Sequence, residues 1–159
     1  MKTSRLIITI LLLYFSTAIS INGQSTEKIN WISFNQLNDS LKAQPKKVFV
    51  NFYANWCVFC KEMDRTTFRN KNVIKQLNEN YYAVKMNIET DEKIVCGAQT
   101  CVNKRTKKVN PIHEIALLLA SRKNKPFSLP AYIVFNENFE AEARYFQYLD
   151  VPAFLKIIE

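Results

Sequence analysis

Four cysteines fall into two closely spaced pairs, Cys57-Val58-Phe59-Cys60 and Cys96-Gly97-Ala98-Gln99-Thr100-Cys101. Two thiols three residues apart at the head of a helix can exchange disulfides. The helix N-terminus offers unpaired amides and a partial positive charge, which favour a thiolate on the first cysteine and draw its pKa from about 8.5 into a range of roughly 3.5 to 7.5. Cys57 is therefore the predicted nucleophile. Cys60, one turn on and on the same face, is placed to resolve the mixed disulfide. Two other readings compete: an inert staple, or half of a zinc site completed by Cys96 and Cys101. The first pair follows a buried strand rather than a glycine-containing knuckle, and the second is spaced C-x4-C, which speaks against zinc. For Cys96 and Cys101 the preferred reading is a structural disulfide that pins a loop, with a second redox pair as the sharper alternative. His113, the only histidine, opens a helix and reads as a plain surface or packing residue.

The elements around these residues alternate between helix and strand. Phe34, Leu37 and Leu41 repeat at helical spacing within a helix predicted over 31–44, with Ser33 and Gln36 as a capping box and Pro45 as its stop. Val48 to Tyr53 is a nearly continuous β-branched and aromatic run, the mark of a strand buried on both faces. The first cysteine pair sits where this strand ends, and 61–68 continues as a helix. Val73, Ile74 and Leu77 give a further helical turn or two, and 81–88 reads as the next strand. From Glu89 to Val109 the periodicity fails and charges accumulate, so this stretch reads as an inserted loop carrying the second pair. Asn110 as N-cap and Pro111 at the first helical position predict a helix through Ser121. Ala131 to Phe135 and a segment around 143–146 read as antiparallel strands, and Asp150 caps a last helix. The sum is an α/β sandwich with a mixed sheet.

The length of 159 residues fits one domain, and 48% hydrophobic residues with two glycines fits a packed globular chain. Lys2 and Arg5 precede an apolar run from Leu6 to Ile21, with small residues after it. This predicts a secretory leader over 1–23, cut at 20/21 or 23/24, followed by one domain over 24–159. A membrane association would need the leader to stay uncleaved. Losing Lys2 and Arg5 takes the net charge from +8 to +6. The basic residues concentrate at Lys104, Arg105, Lys107, Lys108 and at Arg122, Lys123, Lys125, without the interleaved aromatics of a single-strand groove, so no nucleic-acid partner is expected.

Phe49 to Lys61, reading FVNFYANWCVFCK, and the continuation Glu62 to Phe68 resemble the thioredoxin-like family, nearest to its secreted members and to the C-terminal domain of the bacterial electron-transfer protein DsbD. The likeness covers about residues 30–158. It implies a three-layer α/β/α sandwich with a mixed central sheet and an insertion around 89–109. It also implies that Ser128-Leu129-Pro130-Ala131-Tyr132 is the family's cis-proline loop, with Pro130 beside Cys57, Leu129 pairing with a substrate strand and Trp56 flanking the nucleophile at the surface. The implied activity is thiol:disulfide exchange that reduces or isomerises disulfides of exported, periplasmic proteins. That chemistry needs an upstream thiol donor, no cofactor and no metal, and suits a monomer. A non-enzymatic binding or chaperone module and a disulfide-donating oxidase are the alternatives. Two departures bear on mechanism. Asn51 stands where the family carries a buried aspartate, and an amide cannot accept a proton, which leaves Lys85 and Glu62 as candidates for proton transfer or tuning. Val58-Phe59 replaces Gly-Pro between the cysteines, so the direction of electron flow does not carry over.

Overall fold

A run such as Val48-Phe49-Val50 has no polar side to show to water, so it belongs between two layers of helices. The computed structural model, which describes residues 28–97, 99–104 and 109–159, places it there. In chain order the elements are β1 (Trp31–Ile32), α1 (Phe34–Ala43), β2 (Lys47–Tyr53), α2 (Val58–Arg65), a 3-10 turn (Thr67–Arg69), α3 (Lys71–Asn80), β3 (Tyr81–Asn87), β4 (Ile94–Cys96), β5 (Gln99–Cys101), α4 (Glu114–Ala120), β6 (Ala131–Phe135), β7 (Ala141–Tyr145) and α5 (Val151–Ile158). Five strands form the main sheet in the order β1-β3-β2-β6-β7, with β2 central. The pairs β1/β3 and β2/β3 are parallel, whereas β2/β6 and β6/β7 are antiparallel, so the sheet is mixed.

Alternation along β2 divides the core in two. Val48, Val50 and Phe52 face Phe34 and Leu37 of α1 and Ile115 and Ala116 of α4. Phe49 faces Met63 of α2, Leu77 of α3 and Phe154 of α5. The result is the expected α/β/α sandwich. The capping box of Ser33 with Gln36 is formed, and Asp150 Oδ1 accepts the Ala153 N–H at 3.0 Å to start α5.

The structure corrects several boundaries. Trp31 and Ile32 are not helical but form β1, because Ser33 is the N-cap and residues before a cap lie outside the helix. The helix expected over 61–68 begins at Val58 and gives way to the 3-10 turn, as the Thr66 hydroxyl donates to Glu62 O at 2.7 Å. The helix expected from Asn110 and Pro111 starts at Glu114. Asn110 takes a left-handed φ of 52°, unlike an N-cap, and His113 is the cap instead. The strand expected around 143–146 is β7, displaced toward the turn. The insertion carries a hairpin, β4 with β5, that its charge-rich sequence did not announce. The predicted leader at 1–23 and the basic residues Arg105, Lys107 and Lys108 lie outside the described residues.

Candidate active site

The central strand delivers the first cysteine pair. After Tyr53 the chain turns through Cys57 N–H to Ala54 O at 3.1 Å, and Cys57 becomes the N-cap of α2 with extended φ and ψ. Its Sγ accepts the Cys60 N–H at 3.1 Å, and the two sulfurs are joined as a disulfide with Cα atoms 5.3 Å apart. Both cysteines are buried, yet Trp56, Val58 and Phe59 around them are 51%, 74% and 59% exposed. Three large apolar side chains left in water beside a buried bond form an exposed apolar patch rather than core. Trp56 Nε1–H donates to Glu89 Oε1 at 2.9 Å, which holds the indole at the surface. The Leu129–Pro130 bond is cis. Because Ala131 pairs with Phe52, Pro130 abuts the end of β2 where the chain turns toward Cys57.

On the central strand, Asn51 is 3% exposed and lies in register with Lys85 on one side and Tyr132 on the other. Lys85 Nζ meets Asp64 Oδ1 at 2.6 Å and stands 4.9 Å from the Tyr53 ring and 5.6 Å from the Trp31 ring. Asp64 is four residues after Cys60 on α2, hence on the same face. A cleft of about 800 Å³, lined by Trp31, Asp64, Phe68 and Lys85, opens this ion pair to solvent. Burial pushes the Tyr132 phenol up, and the Asp64 charge adds to that shift. Glu62, by contrast, pairs with Arg65 and is not brought to the ion pair. Asp64 is thus the site residue that reading the sequence missed, and its only signal was its spacing from Cys60. Cys96 and Cys101 form a second disulfide with Cα atoms 6.0 Å apart. Among the described residues no group of three or more His, Cys, Asp or Glu is gathered for a metal, and no helix is long and apolar enough to cross a membrane.

A disulfide held this way, at the head of a helix that follows the central strand, is the working part of a thiol–disulfide oxidoreductase built on the thioredoxin fold. The profile of the thioredoxin-like domain family matches residues 34–159, and the chain belongs to that family. The thiol:disulfide interchange protein DsbD of Vibrio cholerae is 51% identical over 37 residues, 23% of this chain and 6% of that protein. The DsbD of Campylobacter jejuni is 31% identical over 77 residues, 48% of this chain and 13% of that protein. The chain therefore matches only a small part of these relatives' length. The solution structure of a thioredoxin from Thermus thermophilus superposes with a TM-score of 0.57 at 16% identity, covering 82% of this chain and 85% of that one, which speaks for the fold alone.

Proposed function

We propose that this chain is an exported oxidoreductase that reduces or isomerises disulfides of other exported proteins, with Cys57 as nucleophile and Cys60 as resolver. The observation that carries the reading is Cys57 Sγ at the N-cap of α2, facing the Cys60 N–H at 3.1 Å. When the pair is reduced, that amide and the helix N-terminus stabilise a Cys57 thiolate, since an amide hydrogen bond to a charged group contributes about 1.5–3 kcal/mol. The thiolate attacks one substrate sulfur, a Cys57–substrate bond forms, and the substrate's second sulfur leaves as a thiolate that takes a proton. Cys60 then gives up its proton and attacks Cys57 Sγ, which releases the remaining substrate thiol. Two electrons and two protons pass to the substrate, and the chain ends with Cys57 and Cys60 joined. An upstream dithiol restores the pair: one of its thiolates attacks Cys57 Sγ, Cys60 leaves and takes a proton, and its second thiol displaces Cys57 and departs as a disulfide.

Asn51 cannot take the Cys60 proton, because a carboxamide is not a base at neutral pH. Asp64, one turn below Cys60 and paired with Lys85, is the carboxylate we assign to that role. Lys85 keeps it positioned. Trp56, Val58 and Phe59 would contact the substrate chain, and the Leu129 backbone before cis-Pro130 would pair with it as an added strand. Export rests on the leader pattern over 1–23, and a bacterial periplasm is the compartment that fits both that leader and relatives named for disulfide interchange.

The exposed collar of Trp56, Val58 and Phe59 also favours a second reading, a binding module that grips partners without exchange. Equilibration of the Cys57–Cys60 pair in glutathione buffers separates the readings. A midpoint near the thioredoxin value of about −270 mV supports a reductase, and one near the DsbA value of about −120 mV makes the chain a disulfide donor instead. If no exchangeable disulfide forms, the oxidoreductase reading fails and the binding module replaces it.

A further inference from the structure

The insertion between β3 and α4 has a disulfide of its own, and its surroundings differ from those of a staple. Of the four cysteines, Cys57, Cys60 and Cys101 are buried at 5%, 4% and 5% exposure, and Cys96 alone is not. Cys96 stands on the rim of an apolar cleft of about 400 Å³ with Phe34, Leu37, Leu118 and Phe139. Of the two disulfides, the one with the more exposed cysteine is therefore not the one at the head of α2.

The hairpin does not depend on this bond to keep its place. The first turn of α4 holds both of its approaches: His113 Nε2 meets Glu92 O at 2.9 Å, Glu114 N–H donates to Val102 O at 3.2 Å, and Glu114 Oε2 accepts the Val102 N–H at 3.0 Å. From α1, the Asn35 amide donates to Glu92 Oε1 at 2.9 Å and Lys93 O at 3.1 Å, and its oxygen accepts the Val95 N–H at 3.4 Å. Ile94 and Cys101 fill the core beneath. In the ladder Ile94 pairs with Cys101 and Cys96 with Gln99, so the disulfide crosses the hairpin diagonally and joins residues that the backbone already holds together. A bond whose opening leaves every strand pair intact is free to open in the folded protein.

We propose that Cys96–Cys101 is a second exchangeable disulfide, with Cys96 the sulfur attacked and an external dithiol as the reductant. A thiolate of the dithiol bonds to Cys96 Sγ as the Cys96–Cys101 bond breaks. The electron pair leaves on the Cys101 sulfur, which takes a proton and stays in the core as a thiol, a role that buried cysteine fills well. The dithiol's second thiol, giving up its proton, attacks its own partner sulfur, expels Cys96 as a thiolate that is then protonated, and departs as a disulfide. Two electrons and two protons enter the hairpin. Exchange here is independent of Cys57, so it stands or falls separately from the function proposed above.

The test uses the full chain with Cys57→Ser and Cys60→Ser, equilibrated in glutathione or dithiothreitol buffers, with thiols counted by maleimide mass shift and the fold followed by circular dichroism. We expect the pair to open and reclose reversibly with an unchanged spectrum. In the same background, adding Cys101→Ser leaves Cys96 alone and adding Cys96→Ser leaves Cys101 alone. Ellman's reagent should react at least tenfold faster with Cys96, on the general dependence of thiol reactivity on access. Peptide mapping of the unsubstituted chain reads the same pair if a variant fails to fold. Opening only as the protein unfolds, or equal reactivity of Cys96 and Cys101, overturns the proposal.

Discussion

Replacing His113 by alanine should remove about 3 kcal/mol of folding free energy while leaving disulfide exchange at Cys57 unchanged in the protein that remains folded. His113 is fully buried and works at both ring nitrogens. Nδ1 accepts the Ile115 N–H at 3.2 Å, so the proton sits on Nε2, which donates to the Glu92 carbonyl at 2.9 Å. Losing a side-chain cap costs about 1 kcal/mol. Losing a neutral hydrogen bond costs about another 1 kcal/mol. The Ile115 N–H and Glu92 C=O are then left without partners beside an unfilled ring volume, which adds roughly 1 kcal/mol more at the low end for buried groups. At about 2–4 °C per kcal/mol for a chain of this size, the melting temperature should fall by roughly 6–12 °C. Urea unfolding followed by the fluorescence of Trp31 and Trp56 measures the loss directly. His113→Asn offers an oxygen to Ile115 but does not reach Glu92, so it should recover about 1 kcal/mol. A loss under about 1 kcal/mol for alanine, or an asparagine variant no better than alanine, refutes the two-ended role.

Three further outcomes follow from the same geometry. Tyr132 Oη is buried with no hydrogen-bond partner among the described residues, so Tyr132→Phe should raise the urea midpoint by the equivalent of about 1 kcal/mol; a drop would mean that the hydroxyl is satisfied after all. The Glu114 carboxyl is held below its usual 4.5, first by its bond to Lys104 and then by the Val102 N–H. A depressed folded pKa makes this contribution complete above the unfolded value and lost as pH falls through the folded one. Exchange protection of the Val102 amide should therefore hold down to about pH 5 and fade below about pH 4, and Glu114→Gln should remove that dependence. Asp64→Asn should slow resolution of a Cys57 mixed disulfide by about tenfold or more and flatten its pH profile, with Glu62→Gln changing neither; stopped-flow decay of the trapped intermediate decides, and equal slowing by both would exclude Asp64 as the acceptor.

Local signals carried most of the fold. Val48 to Tyr53 and Ala131 to Phe135 read as strands because each is a continuous β-branched and aromatic run, and both lie at the centre of the sheet. Ser33 with Gln36, and Asp150 with Pro152, marked helix starts through bonds made within four residues. What escaped depended on distant partners or on very short elements. β1 is two residues long and exists only through its pairing with Ala83 and Val84. The hairpin of β4 and β5 has three residues per strand, too few for a period to show. Asn110-Pro111 has the composition of a helix start. The helix instead begins where His113 can cap it and reach Glu92, a residue 21 positions away.

The candidate site divides along the same line. Cys57, Cys60 and Trp56 are neighbours in sequence, and the Leu129–Pro130 loop has its own local pattern, so all could be named before any coordinates. The choice between Glu62 and Asp64 could not be made from adjacency to Cys60. A helix advances about 100° per residue, which sets a side chain two positions on at about 200° from Cys60 and one four positions on at about 40°. Glu62 accordingly meets Arg65, whereas Asp64 reaches Lys85. Asn51 and Lys85 sit side by side on β2 and β3, so a carboxylate for that lysine could come from the strand or from the helix above it. Here it comes from the helix. That change of origin has a chemical consequence: the Asp64–Lys85 pair borders a cleft open to water, and in the mechanism proposed above a proton taken from Cys60 leaves through that cleft.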